Sequence, residues 1–209
     1  MSIGTLPLTD LAPLAVMLPV LGAAVTFMLV RRPRAQITVT VSALVLTLVL
    51  DALLLAAVWD TGVAAVHLGG WPAPLGISLV VDRLSALMLV VSALITLAVL
   101  LYASAQGLIN RDEGGPVSIF HPTFLILVAG VSNAFLAGDL FNLYVGFEIL
   151  LTSSYVLLTM GGTAQRIRAG VTYVVVSASS SASQAGIRAI LTSSASTSTS
   201  SSRTSSHER

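Results

Sequence analysis

Long apolar runs separated by short polar breaks organise this chain. Leu11 to Val30 carries no charge, and Ala35 to Trp59 is interrupted only by Asp51. Leu84 to Tyr102 and Val117 to Ala137 follow, and Leu140 to Met160 holds a single charge, Glu148. A helix needs about 20 apolar residues to cross the hydrocarbon of a bilayer. The pattern therefore predicts five transmembrane helices, over residues 11–30, 35–59, 84–102, 117–137 and 140–160. Transmembrane barrel strands alternate polar and apolar positions over about ten residues, and these runs are continuous. The expected fold is all-α, a polytopic transmembrane helix bundle. The first run lacks a basic segment before it, since the first arginine is Arg31, so it reads as a retained helix rather than a signal peptide.

The breaks have their own signals. Gly69, Gly70, Pro72, Pro74 and Gly76 precede the short apolar stretch Ile77 to Val81, a pattern suited to a hairpin over the helix ends. Asp82 is placed to cap the third helix. Only Gly138 and Asp139 separate the fourth run from the fifth, which predicts a tight antiparallel pair with Asp139 as the cap of the fifth helix. The Gly161-Gly162 pair reads as a helix stop.

Composition sharpens this picture. Of 209 residues 55% are hydrophobic and 9% charged, with mean hydropathy +0.93. Soluble domains carry roughly 25% charged residues, so the apolar surplus here must face lipid, and the bilayer is the first expected partner. A net charge of +1 points to no nucleic-acid partner, and the absence of cysteine excludes disulfides and thiolate metal sites. No metal-ligand spacing, nucleotide loop or hydrolase triad is present, so no cofactor is expected. All ten positive charges are arginines. Arg31, Arg32 and Arg34, then Arg111, then Arg166 and Arg168 fall on one side under strict alternation, the cytoplasmic side by the positive-inside rule. Arg83 is the exception, and the N-terminus is expected outside. Trp59, Trp71 and Tyr102 suit interfacial belts.

Thr172 to Val176 reads as the start of a sixth helix, giving a transmembrane region over 1–176. From Ser177 the character changes, and more than half of residues 177–209 are serine or threonine. Such a segment buries too little apolar surface to order itself. It is expected to be either a disordered tail or, the reading preferred here, an out-of-frame replacement of the true sequence.

Glu148 is the candidate for chemistry. A carboxylate in a membrane helix is costly unless it is neutral, paired or facing water, and a carboxyl that takes up and releases protons is what a proton path needs. Tyr144, Thr152 and Tyr155 share its helical face, where they can bond the carboxyl, hold water or pack helices together. Asp51 is expected to reach the interface, His121 beside Pro122 to be an interfacial anchor, and Asn133 to bond a neighbouring helix.

The stretch Asn133-Ala-Phe-Leu-Ala-Gly-Asp-Leu-Phe-Asn-Leu-Tyr-Val-Gly-Phe-Glu148 resembles the D subunits of multisubunit Mrp-type cation/proton antiporters. Val81-Asp-Arg-Leu-Ser-Ala-Leu-Met88 is similar to an opening that this family shares with the antiporter-like subunits of respiratory complex I. The resemblance implies a fold of about fourteen helices with two inverted five-helix repeats. It also implies a bacterial cytoplasmic-membrane location, Mrp partner subunits, and proton flow that drives sodium export. It implies that Glu148 pairs with a lysine on a later helix. This chain has no lysine, so by itself it is expected not to be a competent transporter. The alternative is a proton-pumping subunit of NADH:quinone oxidoreductase or of a membrane-bound hydrogenase. A third reading is an assembly protein that uses its tail. The antiporter reading assigns no bond chemistry to the chain, so it is expected to be a transporter component rather than an enzyme.

Overall fold

The computed structural model describes residues 11–67, 77–106 and 117–160. The Gly/Pro-rich loop, Trp71, Arg111, the Gly161-Gly162 pair, Arg166, Arg168, the start of a sixth helix and the Ser/Thr-rich segment lie outside the described residues.

Five helices and one hairpin make up the described fold: α1 (Ala12–Met28), α2 (Pro33–Thr61), β1 (Ala64–His67), β2 (Ser78–Val81), α3 (Arg83–Ala105), α4 (Val117–Leu136) and α5 (Leu140–Thr159). Four of them, α2 to α5, are long and apolar enough to cross a membrane. The helix α1 is shorter, with 17 residues. At about 1.5 Å per residue it reaches about 25 Å, just under the hydrocarbon thickness. It stops where Leu29 turns back, its amide bonding the carbonyls of Val25 and Thr26. Four residues later Pro33 opens α2, where a missing amide hydrogen costs nothing.

Two apolar clusters hold the bundle. At one end Ala12 and Ala15 of α1, Leu50, Leu54 and Val58 of α2, Ala86 and Leu89 of α3 and Leu136 of α4 close around Leu79 and Val81 of the hairpin. At the other end Ala23, Ala43, Leu44, Leu100, Phe124, Leu125 and Val128 pack together. These are the hairpin end and the arginine end, the latter carrying Arg31 and Arg32 in the α1–α2 turn. Many large apolar side chains on the outer faces stay exposed, among them Leu21, Phe27, Leu46, Leu94, Ile95 and Phe141. In lipid such residues lose nothing by exposure, so a helix can be apolar all round.

The hairpin pairs β1 with β2 antiparallel, Ala64 opposite Val81 and His67 opposite Ser78. Leu79 also bridges Ala137, so the α4–α5 turn lies along the free edge of β2. Asp82 caps α3: its carboxylate accepts from the Ser85 amide at 2.7 Å, and the Ser85 hydroxyl engages the Asp82 amide at 2.9 Å. These bonds hold the Asp82 carboxyl below its usual range. Arg83, the charge at odds with the loop pattern, places its guanidinium 5.3 Å from the Trp59 ring centroid and reaches the Trp59 carbonyl at 3.4 Å. It thereby joins the end of α2 to the start of α3 with its charge over an aromatic face.

Candidate functional site

The α4–α5 pair is built for close approach. A side chain on Gly146 would meet Asn133 Nδ2 at 3.0 Å and the Ala134 amide at 3.2 Å. Where the two backbones nearly touch, the Asn133 amide donates to the Asn142 carbonyl at 3.2 Å and to its side-chain oxygen at 3.1 Å. Small residues plus an amide bond are the usual means of joining helices where lipid removes the hydrophobic drive. The turn between them is equally tight. Asp139 caps α5 by accepting from the Asn142 amide at 2.7 Å. The other oxygen of Asp139 accepts from the Ser78 amide at 3.2 Å, and the Gly138 amide donates to the Ser78 carbonyl at 2.9 Å. Gly138 is required there, because a Cβ would lie 2.6 Å from Val80 Cγ2.

With Asn142, Gly146 and Ser153 buried on the α4 side, the helical repeat fixes where the rest of α5 faces. At about 100° per residue, Tyr144, Glu148 and Tyr155 fall roughly opposite Gly146, and Thr152 lies beside them. The four do share a stripe, and it is turned away from α4. Tyr144 is 56% exposed, Thr152 is exposed, and Glu148 and Tyr155 are half-buried. The Tyr144 hydroxyl interacts with the Glu148 carboxyl one turn away. A polar row with one carboxyl thus runs down the middle of a membrane helix on a face that no described helix packs over.

Two residues stand elsewhere than the sequence pattern implied. Asp51 does not reach an interface. It is 1% exposed, on α2 between Leu50 and Leu54 of the hairpin-end cluster, and neither carboxyl oxygen has a hydrogen-bond partner among the described residues. His121 is not an exposed anchor: it is 1% exposed, with Nδ1 3.2 Å from the Thr40 hydroxyl and its ring edge-on to Phe120. In both cases the helices of the bundle, rather than lipid or headgroups, cover the side chain. The sequence held a signal for this. Gln36, Thr40, Thr47 and Asp51 are spaced by four, seven and four residues, one face of α2, and all four are buried.

No group of three or more potential metal-ligating side chains occurs among the described residues. The fold and its polar stripe define a multi-pass helical membrane protein with an ionisable group in mid-span. No protein-family model matches the chain. Curated relatives do. It is 35% identical to the D subunit of the Na(+)/H(+) antiporter of Bacillus subtilis, over 81% of this chain and 34% of that protein. It is 46% identical to the D subunit of a probable K(+)/H(+) antiporter of Rhizobium meliloti over 58% of this chain and 21% of that one. Among solved structures, it superposes on the Mrp complex from Dietzia sp. DQ12-45-1b with TM-score 0.73 and 30% identity, covering 82% of this chain and 32% of that one. It superposes on the membrane-bound sulfane sulfur reductase, an archaeal respiratory membrane complex, with TM-score 0.71 and 26% identity, covering 79% and 34%. The chain is a homologue of the antiporter D subunits, and it spans about a third of the length of the curated relatives it matches.

Proposed function

We propose that this chain is membrane-embedded machinery of a multisubunit monovalent cation/proton antiporter, with Glu148 carrying the transported proton. The observation that carries this reading is the stripe of Tyr144, Glu148, Thr152 and Tyr155 on the face of α5 turned away from α4. A carboxyl there is neither buried by the described bundle nor free in water. It needs a covering helix to supply a counter-charge or a water path, and the protein is expected to exchange ions only with that face covered. Further antiporter subunits or further transmembrane helices are the partners of this surface, and protons and sodium the ions moved. Arg31, Arg32 and Arg34 favour a cytoplasmic α1–α2 turn and an outside N-terminus, in a bacterial cytoplasmic membrane. Asp82 and Asp139 serve as helix caps that hold the hairpin end, not as ion ligands.

The test is cation-driven proton movement in membrane vesicles from cells that express the chain with the subunits encoded beside it. Glu148→Gln keeps the shape and removes the titrating group, so exchange should fall to background while assembly is kept. Unchanged exchange would sink the role of Glu148. The likeness to a respiratory membrane complex supports a second reading, a proton-pumping subunit of such an enzyme. Co-purification separates the two: small hydrophobic subunits for the antiporter, hydrophilic iron–sulfur subunits for the enzyme.

A further inference from the structure

Asp51 lies on a second polar line, away from the α5 stripe. The helices α2 and α4 run the same way, since Val58 and Leu136 meet at the hairpin end while Gln36 and His121 lie toward the arginine end. Thr40 contacts His121 at 3.2 Å. Eleven residues further along each helix stand Asp51 and Ser132, both buried at the same level. Thr47 lies on α2 between Thr40 and Asp51. The hydroxyls of Thr40 and Thr47 donate to the carbonyls of Gln36 and Ala43, at 2.8 and 2.9 Å. Because Thr40 spends its proton on Gln36, it accepts from His121. The Nδ1 of His121 therefore carries the hydrogen and Nε2 the free lone pair.

Among the described residues, no side chain on α1 to α4 is placed to balance a negative charge on Asp51. The helix α1 has no ionisable side chain. On α3 there are only Arg83 and Tyr102, near its two ends, with Arg83 engaged by Trp59. On α4 there is only His121, engaged by Thr40, and on α2 itself the other charges, Arg34 and Asp60, sit near the helix ends. An isolated buried carboxylate gives up its charge rather than its burial. We infer that Asp51 is a second proton-binding site of this protein, occupied at neutral pH and reached from the arginine end along the Thr40–His121 seam. The inference does not depend on the role of Glu148.

Infrared spectroscopy of the full chain in lipid bilayers reads that proton directly. Aspartate labelled at its side-chain carboxyl carbon separates Asp51 from Glu148 without mutation, since the other aspartates lie outside the membrane spans. A protonated-carboxyl band that moves with the label at neutral pH is expected. It should vanish in Asp51→Asn and persist in Glu148→Gln. In D2O the band should shift as deuterium replaces the proton, several-fold more slowly in His121→Phe. If the labelled protein shows only ionised carboxylate bands at neutral pH, with or without sodium, the site is overturned. If His121→Phe exchanges as fast as the parent, the seam is not the route. Loss of transport in Glu148→Gln, or its absence, bears on neither result.

Discussion

Asp139 holds two elements with one carboxylate: one oxygen accepts from the Asn142 amide at 2.7 Å and the other from the Ser78 amide at 3.2 Å. The first bond opens α5 and the second fixes the hairpin edge to the α4–α5 turn. Asp139→Ala removes both. Loss of a helix cap alone costs about 1 kcal/mol, and the freed Ser78 amide adds to it. We expect a destabilisation of about 1–2 kcal/mol, measured by unfolding in lipid or mild detergent, with faster amide exchange at Asn142 and Ser78. Exchange unchanged at Ser78 would show that the bridge to the hairpin is dispensable.

The same bonds make the hairpin end acid-sensitive. Backbone amides at Asn142 and Ser78 hold the Asp139 carboxyl below its ordinary value of 3.8, and Ser85 does the same for Asp82. A group whose folded pKa is depressed contributes stability above its unfolded value and loses it as pH falls through the folded one. Both caps should therefore be intact at neutral pH and weaken only in acid below that ordinary value. Amide exchange at Ser85 and Asn142, followed as pH is lowered, should rise there. The Asp139→Asn variant should flatten the dependence at Asn142 and leave that at Ser85.

Gly146 sets the distance between α4 and α5. A leucine there drives a side chain into Asn133 and the Ala134 backbone, where even a Cβ would lie 3.0 and 3.2 Å away. Overpacking of this kind costs about 1–3 kcal/mol, and separating the helices also breaks the Asn133–Asn142 bond. Cross-linking between cysteines introduced at Gly130, where a Cβ would lie 3.1 Å from Ile149 Cγ2, and at Ile149 should drop sharply in Gly146→Leu. Undiminished cross-linking would mean that the helices reach another packing at little cost.

Asp51 is a buried polar group with no hydrogen-bond partner among the described residues. Replacing such a group by an apolar one of similar size removes a desolvation penalty of about 1–3 kcal/mol. Asp51→Leu should therefore raise resistance to unfolding, measured against the parent in the same lipid. A less stable variant would mean that Asp51 is held by a favourable contact after all.

Much of the architecture was legible along the chain. Runs of about 20 apolar residues can only be helices in lipid, because every backbone amide must be bonded within its own segment. The caps at Asp82 and Asp139 follow from a short acceptor placed just before such a run, and the likeness to the antiporter D subunits followed from the local order of residues up to Glu148. Those are short-range matters, set by neighbours in sequence. What only the tertiary structure decided is which face of each helix is covered. A face on a helix is visible in spacing, but its partner depends on how separate helices meet. Hence Glu148, the charge in mid-span, lies on the outward side of α5, while Asp51 and His121, expected at interfaces, are enclosed by α2 and α4 with their neighbours. Burial is a property of the assembled bundle, and the same carboxyl is cheap or costly according to what the other helices leave around it.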